Sequence, residues 1–182
     1  MALLSHYKLN NNINDEVSGN NGTFIGGTYV SGVEGMGLNF SGGSEKIVLP
    51  AAAINSTTGS LALSFWAKVL PQYRSNHIFY KQIDSSTTYN INIHFPWYSN
   101  NYIYWDIGNN TASYNRIYKL LEDKYIGDGK YHHWVFQLNS DTDTMEIYID
   151  SVLWHSGTGM TVPFVNSGKD CEIGNATSTV VD

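Results

Sequence analysis

The feature that most limits what this chain can become is a pair of alternating apolar runs within residues 129–154, GKYHHWVFQLNSDTDTMEIYIDSVLW. In the first run His132, Trp134, Phe136 and Leu138 fall on one side of an extended backbone, and Tyr131, His133, Val135 and Gln137 on the other. In the second, Met145, Ile147 and Ile149 oppose Glu146, Tyr148 and Asp150. Strand side chains alternate with period two, so the two runs, joined by the polar loop 139–144, read as an antiparallel pair with one buried face. Asp150-Ser151 then turns the chain into a third short apolar piece, 152–154. The stretch specifies a sheet with a core rather than a catalytic motif.

The same alternation recurs along the chain. In residues 60–69, Leu61, Leu63, Phe65, Ala67 and Val69 form the face to be buried, against Ala62, Ser64, Trp66 and Lys68. Residues 88–95 turn Ile91, Ile93 and Phe95 inward, and 102–107 set Ile103, Trp105 and Ile107 against Tyr102, Tyr104 and Asp106. Between them, 96–101 reads as a hairpin loop, with Pro96 ending the preceding strand. Further strands are expected at 3–9, 23–30, 35–40, 45–49, 78–81 and 170–174. Only 116–124 has a helical look, with Ile117, Leu120 and Leu121 on one face, and it is short for a stable helix. Strands spaced by roughly 8–12 residues indicate a sandwich or barrel. With no internal repeat and no linker, residues 1–182 read as a single domain.

Charged residues make up only 14% of the chain, against roughly 25% in ordinary soluble domains, so amides and hydroxyls must solvate the surface. Thirteen Tyr among 14% aromatics suit strands, and also contact with carbohydrate. A net charge of −6, with 10 scattered Lys and Arg, argues against nucleic acid, which needs clustered cations. No apolar run approaches the roughly 20 residues of a spanning helix, and no basic amphipathic face suggests membrane insertion. Cys171 is the single cysteine, which leaves no internal disulfide and no cysteine metal cluster. The first ten residues, MALLSHYKLN, lack the charged and apolar regions of a signal peptide.

Tyr131-His132-His133-Trp134-Val135, followed by Met145 to Leu153, resembles the signature of the laminin G-like, concanavalin A-like jelly-roll domains. The loop from Asp15 to Gly22, the segment Gly37-Leu38-Asn39-Phe40-Ser41-Gly42 and the strand at 60–69 are similar to the same families, so the likeness spans nearly the whole chain. It implies an all-β fold, a two-sheet antiparallel jelly-roll sandwich. Two departures stand out: Ser151 occupies the place of a usual Gly, and Glu16-Val17 interrupts the opening loop. The families also end on a strand of the type Gly-x-Ile-Asp-Glu-Val-x-Ile, and here Val180-Val181-Asp182 falls where that strand should begin. The final family strand is therefore expected to be absent, its pairing supplied by a neighbouring chain or subunit, with homo-oligomers one way to do so, or else the sequence is a fragment of a longer one.

Three kinds of chemistry can be asked of the residues. Glycoside hydrolysis needs two carboxylates roughly 5–9.5 Å apart. Glu146 and Asp150 share a strand face but sit about 13 Å apart, so no catalytic residue is assigned and the chain is read as a non-enzyme. The His132-His133 pair points to opposite faces, which makes a joint metal site impossible; a hydrogen-bonded structural role suits His132. Calcium, which takes loop oxygens, is implied by the resemblance at the 14–21 loop, with Asp15, Asn20 and Asn21 as ligands. For glycan binding, aromatic platforms flanked by amides are needed; Trp97, Tyr98, Asn100, Asn101 and Tyr102 cluster these types in one loop, with Tyr114-Asn115-Arg116 able to lie near it. The leading expectation is a binding or adhesion module contacting cell-surface glycans. A lectin-like domain without an export signal fits display on a virion surface, as a capsid or tail decoration reached after lysis. The alternatives are a purely structural virion subunit acting through contacts with another viral structural protein, and, more remotely, a glycoside hydrolase.

Overall fold

A computed structural model describes residues 2–55, 59–70, 77–82, 89–97, 99–109, 113–174 and 178–181. In chain order the strands are β1 (Thr23–Ile25), β2 (Thr28–Ser31), β3 (Met36–Ser41), β4 (Lys46–Leu49), β5 (Leu61–Val69), β6 (His77–Gln82) and β7 (Tyr89–His94). They continue as β8 (Tyr102–Gly108), β9 (Tyr114–Leu120), β10 (His132–Asn139), β11 (Thr144–Ile149), β12 (Val152–Thr158), β13 (Cys171–Ile173) and β14 (Ser178–Val181). Two seven-stranded sheets result, ordered β1-β4-β13-β6-β7-β8-β9 and β12-β11-β10-β5-β14-β3-β2. Every strand pairing is antiparallel. The molecule is the all-β jelly-roll sandwich that the alternation demands.

The inward faces meet in an aromatic layer. Phe65 on β5 lies 5.8 Å from Phe136 on β10, the rings stacked, and 5.8 Å from the edge of Phe95. Trp134 meets Phe95 edge-on at 4.6 Å, and Trp105 from the other sheet meets Phe136 at 5.8 Å. Such offset and edge-to-face pairs add to the gain from burial itself. Trp105, Trp134, Phe95 and Phe136 are fully buried, with Leu138, Met145 and Ile147 completing the layer under β10 and β11. The register Trp134↔Ile149, Phe136↔Ile147 and Leu138↔Met145 puts each apolar residue opposite another.

Four sequence expectations need correction. Residues 116–124 do not form a helix: Tyr114–Leu120 is strand β9, paired along its length with β8, and only Asp123–Tyr125 forms a 3-10 turn. Ile117 and Leu121 are buried as expected, while Leu120 is exposed. Residues 3–9 pair only at a single bridge, Tyr7↔Asp15. The strand read over 23–30 breaks in two, because Gly26 and Gly27 adopt φ of 72° and 89° and send β1 and β2 into different sheets. The last strand, expected to be lacking, is present in short form: β14 lies between β3 and β5, its Val180 opposite Asn39 and Lys68. Four residues with a β-branched run suffice to bridge the two strands, so over this length the pairing comes from the chain itself and not from a neighbour. Alongside the rest of β5 opens an apolar groove of about 1180 Å³, bordered by Leu4, Ile54, Leu63 and Phe79.

The β11–β12 turn is tight although it lacks glycine. Asp150 and Ser151 both take positive φ, 51° and 68°. Aspartate tolerates this conformation, and here its carboxylate accepts the His133 amide (2.9 Å) and pairs with His132 Nδ1 at 2.6 Å. Nothing comparable offsets the cost at Ser151. Replacing Ser151 by Gly relieves that conformation and raises stability by about 0.5–1 kcal/mol, read as a higher Tm; an unchanged or lower Tm would show that the turn is unstrained.

Candidate functional site

Because the aromatic layer takes one face of each strand, period two sends the alternate residues of the first sheet outward. Across β13, β6, β7, β8 and β9 the register aligns Glu172, Tyr80, Asn92, Asp106 and Arg116 in one row. The next row runs His77, His94, Tyr104 and Tyr118. Tyr104 and Tyr118 stack at 5.4 Å, and Tyr102 lies within 6.0 Å of both. Tyr118 is 53% exposed while Tyr102 and Tyr104 are half-buried, so the cluster reaches solvent rather than filling a core.

Beneath the rings runs a chain of hydrogen bonds. Arg116 donates from Nε and Nη2 to the two Asp106 oxygens at 2.6 and 2.7 Å. The Asn92 amide donates to Asp106 Oδ2 (3.0 Å), which leaves its own Oδ1 to accept from His77 Nδ1 at 2.6 Å. Asn92 and Asp106 are buried, so this chain holds the floor of the face rigid. The arrangement has electrical consequences. The Asp106 bonds raise the Arg116 pKa above its ordinary value, and burial lowers that of His77, favouring the neutral ring. The guanidinium also sits 5.3 Å from the centre of the Tyr104 ring and 5.4 Å from that of Tyr114.

The loop singled out from the sequence lies at one end of this face. Trp97 packs edge-on against His94 at 4.4 Å. Asn100 donates from Nδ2 to the Tyr104 hydroxyl (2.9 Å), while its Oδ1 accepts the Tyr102 amide (3.0 Å). Asn101 has a turn-forming role, with φ of 57° and its amide on the Trp97 carbonyl. Tyr98 lies outside the described residues. The structure thus brings Trp97, Asn100 and Tyr102 together with Tyr104, Tyr114, Arg116 and Tyr118. Sequence reasoning missed Tyr104, Tyr118, His77, His94 and the Asp106–Arg116 pair as one surface. The outward alternation of Tyr102, Tyr104 and Asp106 was the signal for half of it; treating 116–124 as helical hid the other half.

The loop proposed for calcium is built for another purpose. Asp15 Oδ1 accepts the amides of His6 (2.9 Å) and Val17 (3.1 Å); Oδ2 accepts the Ser18 hydroxyl (2.6 Å) and the Asn20 amide (3.2 Å). Asn21 Oδ1 is taken by the Asp15 amide, and the Asn20 carbonyl by the Tyr7 hydroxyl. Hydrogens thus point at both Asp15 oxygens and at Asn21 Oδ1, which calcium would have to displace. Among the described residues no group of three His, Cys, Asp or Glu is placed to hold a metal. Cys171 is buried, and burial pushes its thiol up to about 12, which removes it as a nucleophile. No described helix is long and apolar enough to cross a membrane.

These features meet a family match. Residues 41–181 match the Laminin_G_3 family of the concanavalin A-like lectin/glucanases superfamily, and the chain belongs to that family. No curated protein matches the chain. Among solved structures, the binding domain of Paraclostridial Mosquitocidal Protein 1 is similar at a TM-score of 0.70 and 14% identity, over 92% of this chain and 44% of that one. The botulinum neurotoxin serotype G binding domain gives 0.67 and 16%, over 92% and 42%. Domain 4 of AbnA, a GH43 extracellular arabinanase from Geobacillus stearothermophilus in complex with arabinotriose, gives 0.67 and 19%, over 98% and 91%. The chain spans under half the length of the toxin domains it matches. At these identities the likeness is one of fold.

The Asp15 cluster makes a pH prediction. Burial works against its charge, but the Ser18 hydroxyl and the His6, Val17 and Asn20 amides outweigh this and hold the carboxyl well below the usual carboxylate range. Its stabilising contribution is therefore complete above about pH 4 and is lost as pH falls further. Asp15→Asn is expected to cost about 2–3 kcal/mol at neutral pH and to show a shallower acid decline in urea unfolding. Equal slopes for the two proteins below pH 4 would contradict this.

Proposed function

We propose that this chain is a non-catalytic binding module that takes carbohydrate on the outer face of its first sheet. One observation carries the reading: the exposed Tyr118 and the half-buried Tyr102 and Tyr104, with Trp97 at one end, form an aromatic platform over a rigid hydrogen-bonded floor. A sugar presents a C–H face to such rings and hydroxyls to nearby amides and guanidinium groups. The fold is shared with toxin binding domains and with an arabinanase domain that holds arabinotriose, which supports this use of the scaffold.

The placement of the acids supports a binding rather than a hydrolytic role. Asp106 and Glu172 share a row but stand three strand spacings apart, about 14 Å, beyond the roughly 5–9.5 Å that glycoside hydrolysis needs. Glu146 is bonded by Gln137 and the Tyr148 hydroxyl, and Asp150 is held in its turn. Display on a virion surface, against a glycan-bearing cell, is proposed from the sequence reading alone.

Affinity electrophoresis in gels containing arabinan, xylan, galactan or glucan tests the reading. Retention is expected on at least one polymer, with Tyr118→Ala and Trp97→Ala each weakening it about ten-fold. Trp66→Ala, on the outer face of the second sheet, is expected to leave it unchanged. Retention lost with Trp66→Ala and kept with Tyr118→Ala would move the site to the opposite sheet.

A further inference from the structure

We propose that the ligand of this face is an uncharged oligosaccharide that lies across strands β6 to β9, and that acidic sugars are excluded by the way the face's own charges are spent. The inference rests on the reading of this face as a carbohydrate site and adds the class of sugar.

The described charged side chains of the two rows and their neighbours on β4 are Arg116, Asp106, Glu172 and Lys46. Arg116 grips Asp106 with two parallel bonds, and Lys46 Nζ meets Glu172 at 2.6 Å. Two cations are thus matched by two anions on the face itself. Recognition of a sialic acid, uronic acid or sulfated sugar calls for a guanidinium or ammonium group able to take the ligand's anion. The N–H groups that Arg116 has left can reach an anion, but its charge is already matched by the buried Asp106 carboxylate at its side. A ligand anion there stands beside the Asp106 carboxylate, while Lys46 is already matched by Glu172. Two like charges sharing one guanidinium repel each other, so an acidic sugar gains little from Arg116.

Hydroxyls meet no such obstacle. The bonds to Asp106 use two of the five N–H groups of Arg116, and the remainder can donate to a neutral oxygen. The Tyr104 hydroxyl, which accepts from Asn100, keeps its own proton to donate. The extent of the platform speaks for a chain rather than one ring. His77, Tyr104 and Tyr118 reach the surface along a row of four adjacent strands, spanning three spacings or about 14 Å, with the buried His94 between them against Trp97.

The test is a glycan array carrying neutral oligosaccharides of one to five units beside sialylated, uronic and sulfated counterparts of the same backbones, read with the wild-type chain and with Asp106→Asn. The wild type is expected to favour neutral glycans by at least about ten-fold, with signal rising from one unit to three. Asp106→Asn, which leaves Arg116 uncompensated, is expected to narrow that preference about ten-fold. If the variant fails to fold, the salt dependence of wild-type binding decides instead: a neutral ligand gives an affinity nearly constant between about 50 and 500 mM salt. Acidic glycans bound as well as neutral ones, with Tyr118→Ala abolishing both, would overturn this inference and leave the carbohydrate site standing. A folded wild type that binds no glycan on the array would overturn both.

Discussion

The aromatic layer between the sheets is what the rest of the molecule depends on. Phe65, Phe95, Trp105, Trp134 and Phe136 come from four strands or their ends, and their ring centres meet across the sandwich at 4.6 to 5.8 Å. Each one fixes the register of its strand, because a slip of one residue would turn it to solvent. Removal of any buried Phe or Trp in such a layer typically costs about 3–5 kcal/mol, a large share of the stability of a domain this size. The layer therefore decides which residues point outward as firmly as it decides which point inward.

The candidate site is the reverse side of that decision. Once Ile103, Trp105 and Ile107 are committed to the core, Tyr102, Tyr104 and Asp106 have no other place to go. The same holds for Asn92 and His94 beside Ile91 and Ile93, and for Arg116 and Tyr118 around Ile117. What turns these outward residues into a surface with a purpose is their order: paired charges and amides form a floor, and rings lie along it. The opposite sheet carries Trp66 and His133, 5.1 Å apart, with Ser64 bonded to His133. Among the described residues its outer face has no comparable row of rings.

Much of the fold was legible in the chain because alternation is a local signal. Residues 60–69, 102–107 and 132–149 each announce a strand and its buried face without help from elsewhere. The site was legible only in part. Trp97 and Tyr102 stand close in sequence and could be grouped, whereas Tyr118 and His77 reach them only through strand order, which no single stretch encodes. Ile117, Leu120 and Leu121 mimic helical spacing because Leu121 follows the strand end and turns inward there. At the Asp15 loop the residue types suit a cation, while hydrogen bonds visible only in three dimensions engage both Asp15 oxygens and Asn21 Oδ1 with the chain itself. At the C-terminus, a four-residue strand was too short to be seen as the central element it is.

We propose that function resides on the outer face of the first sheet. The most direct measurement is NMR titration of the isotopically labelled chain with an oligosaccharide, arabinotriose first, following the backbone amides and the Trp and Tyr ring signals. The account predicts that shifts cluster at Trp97, Tyr102, Tyr104, Arg116 and Tyr118, with the signals of Trp66 and His133 unmoved. Shifts confined to Trp66, His133 and the groove beside β5 would contradict it.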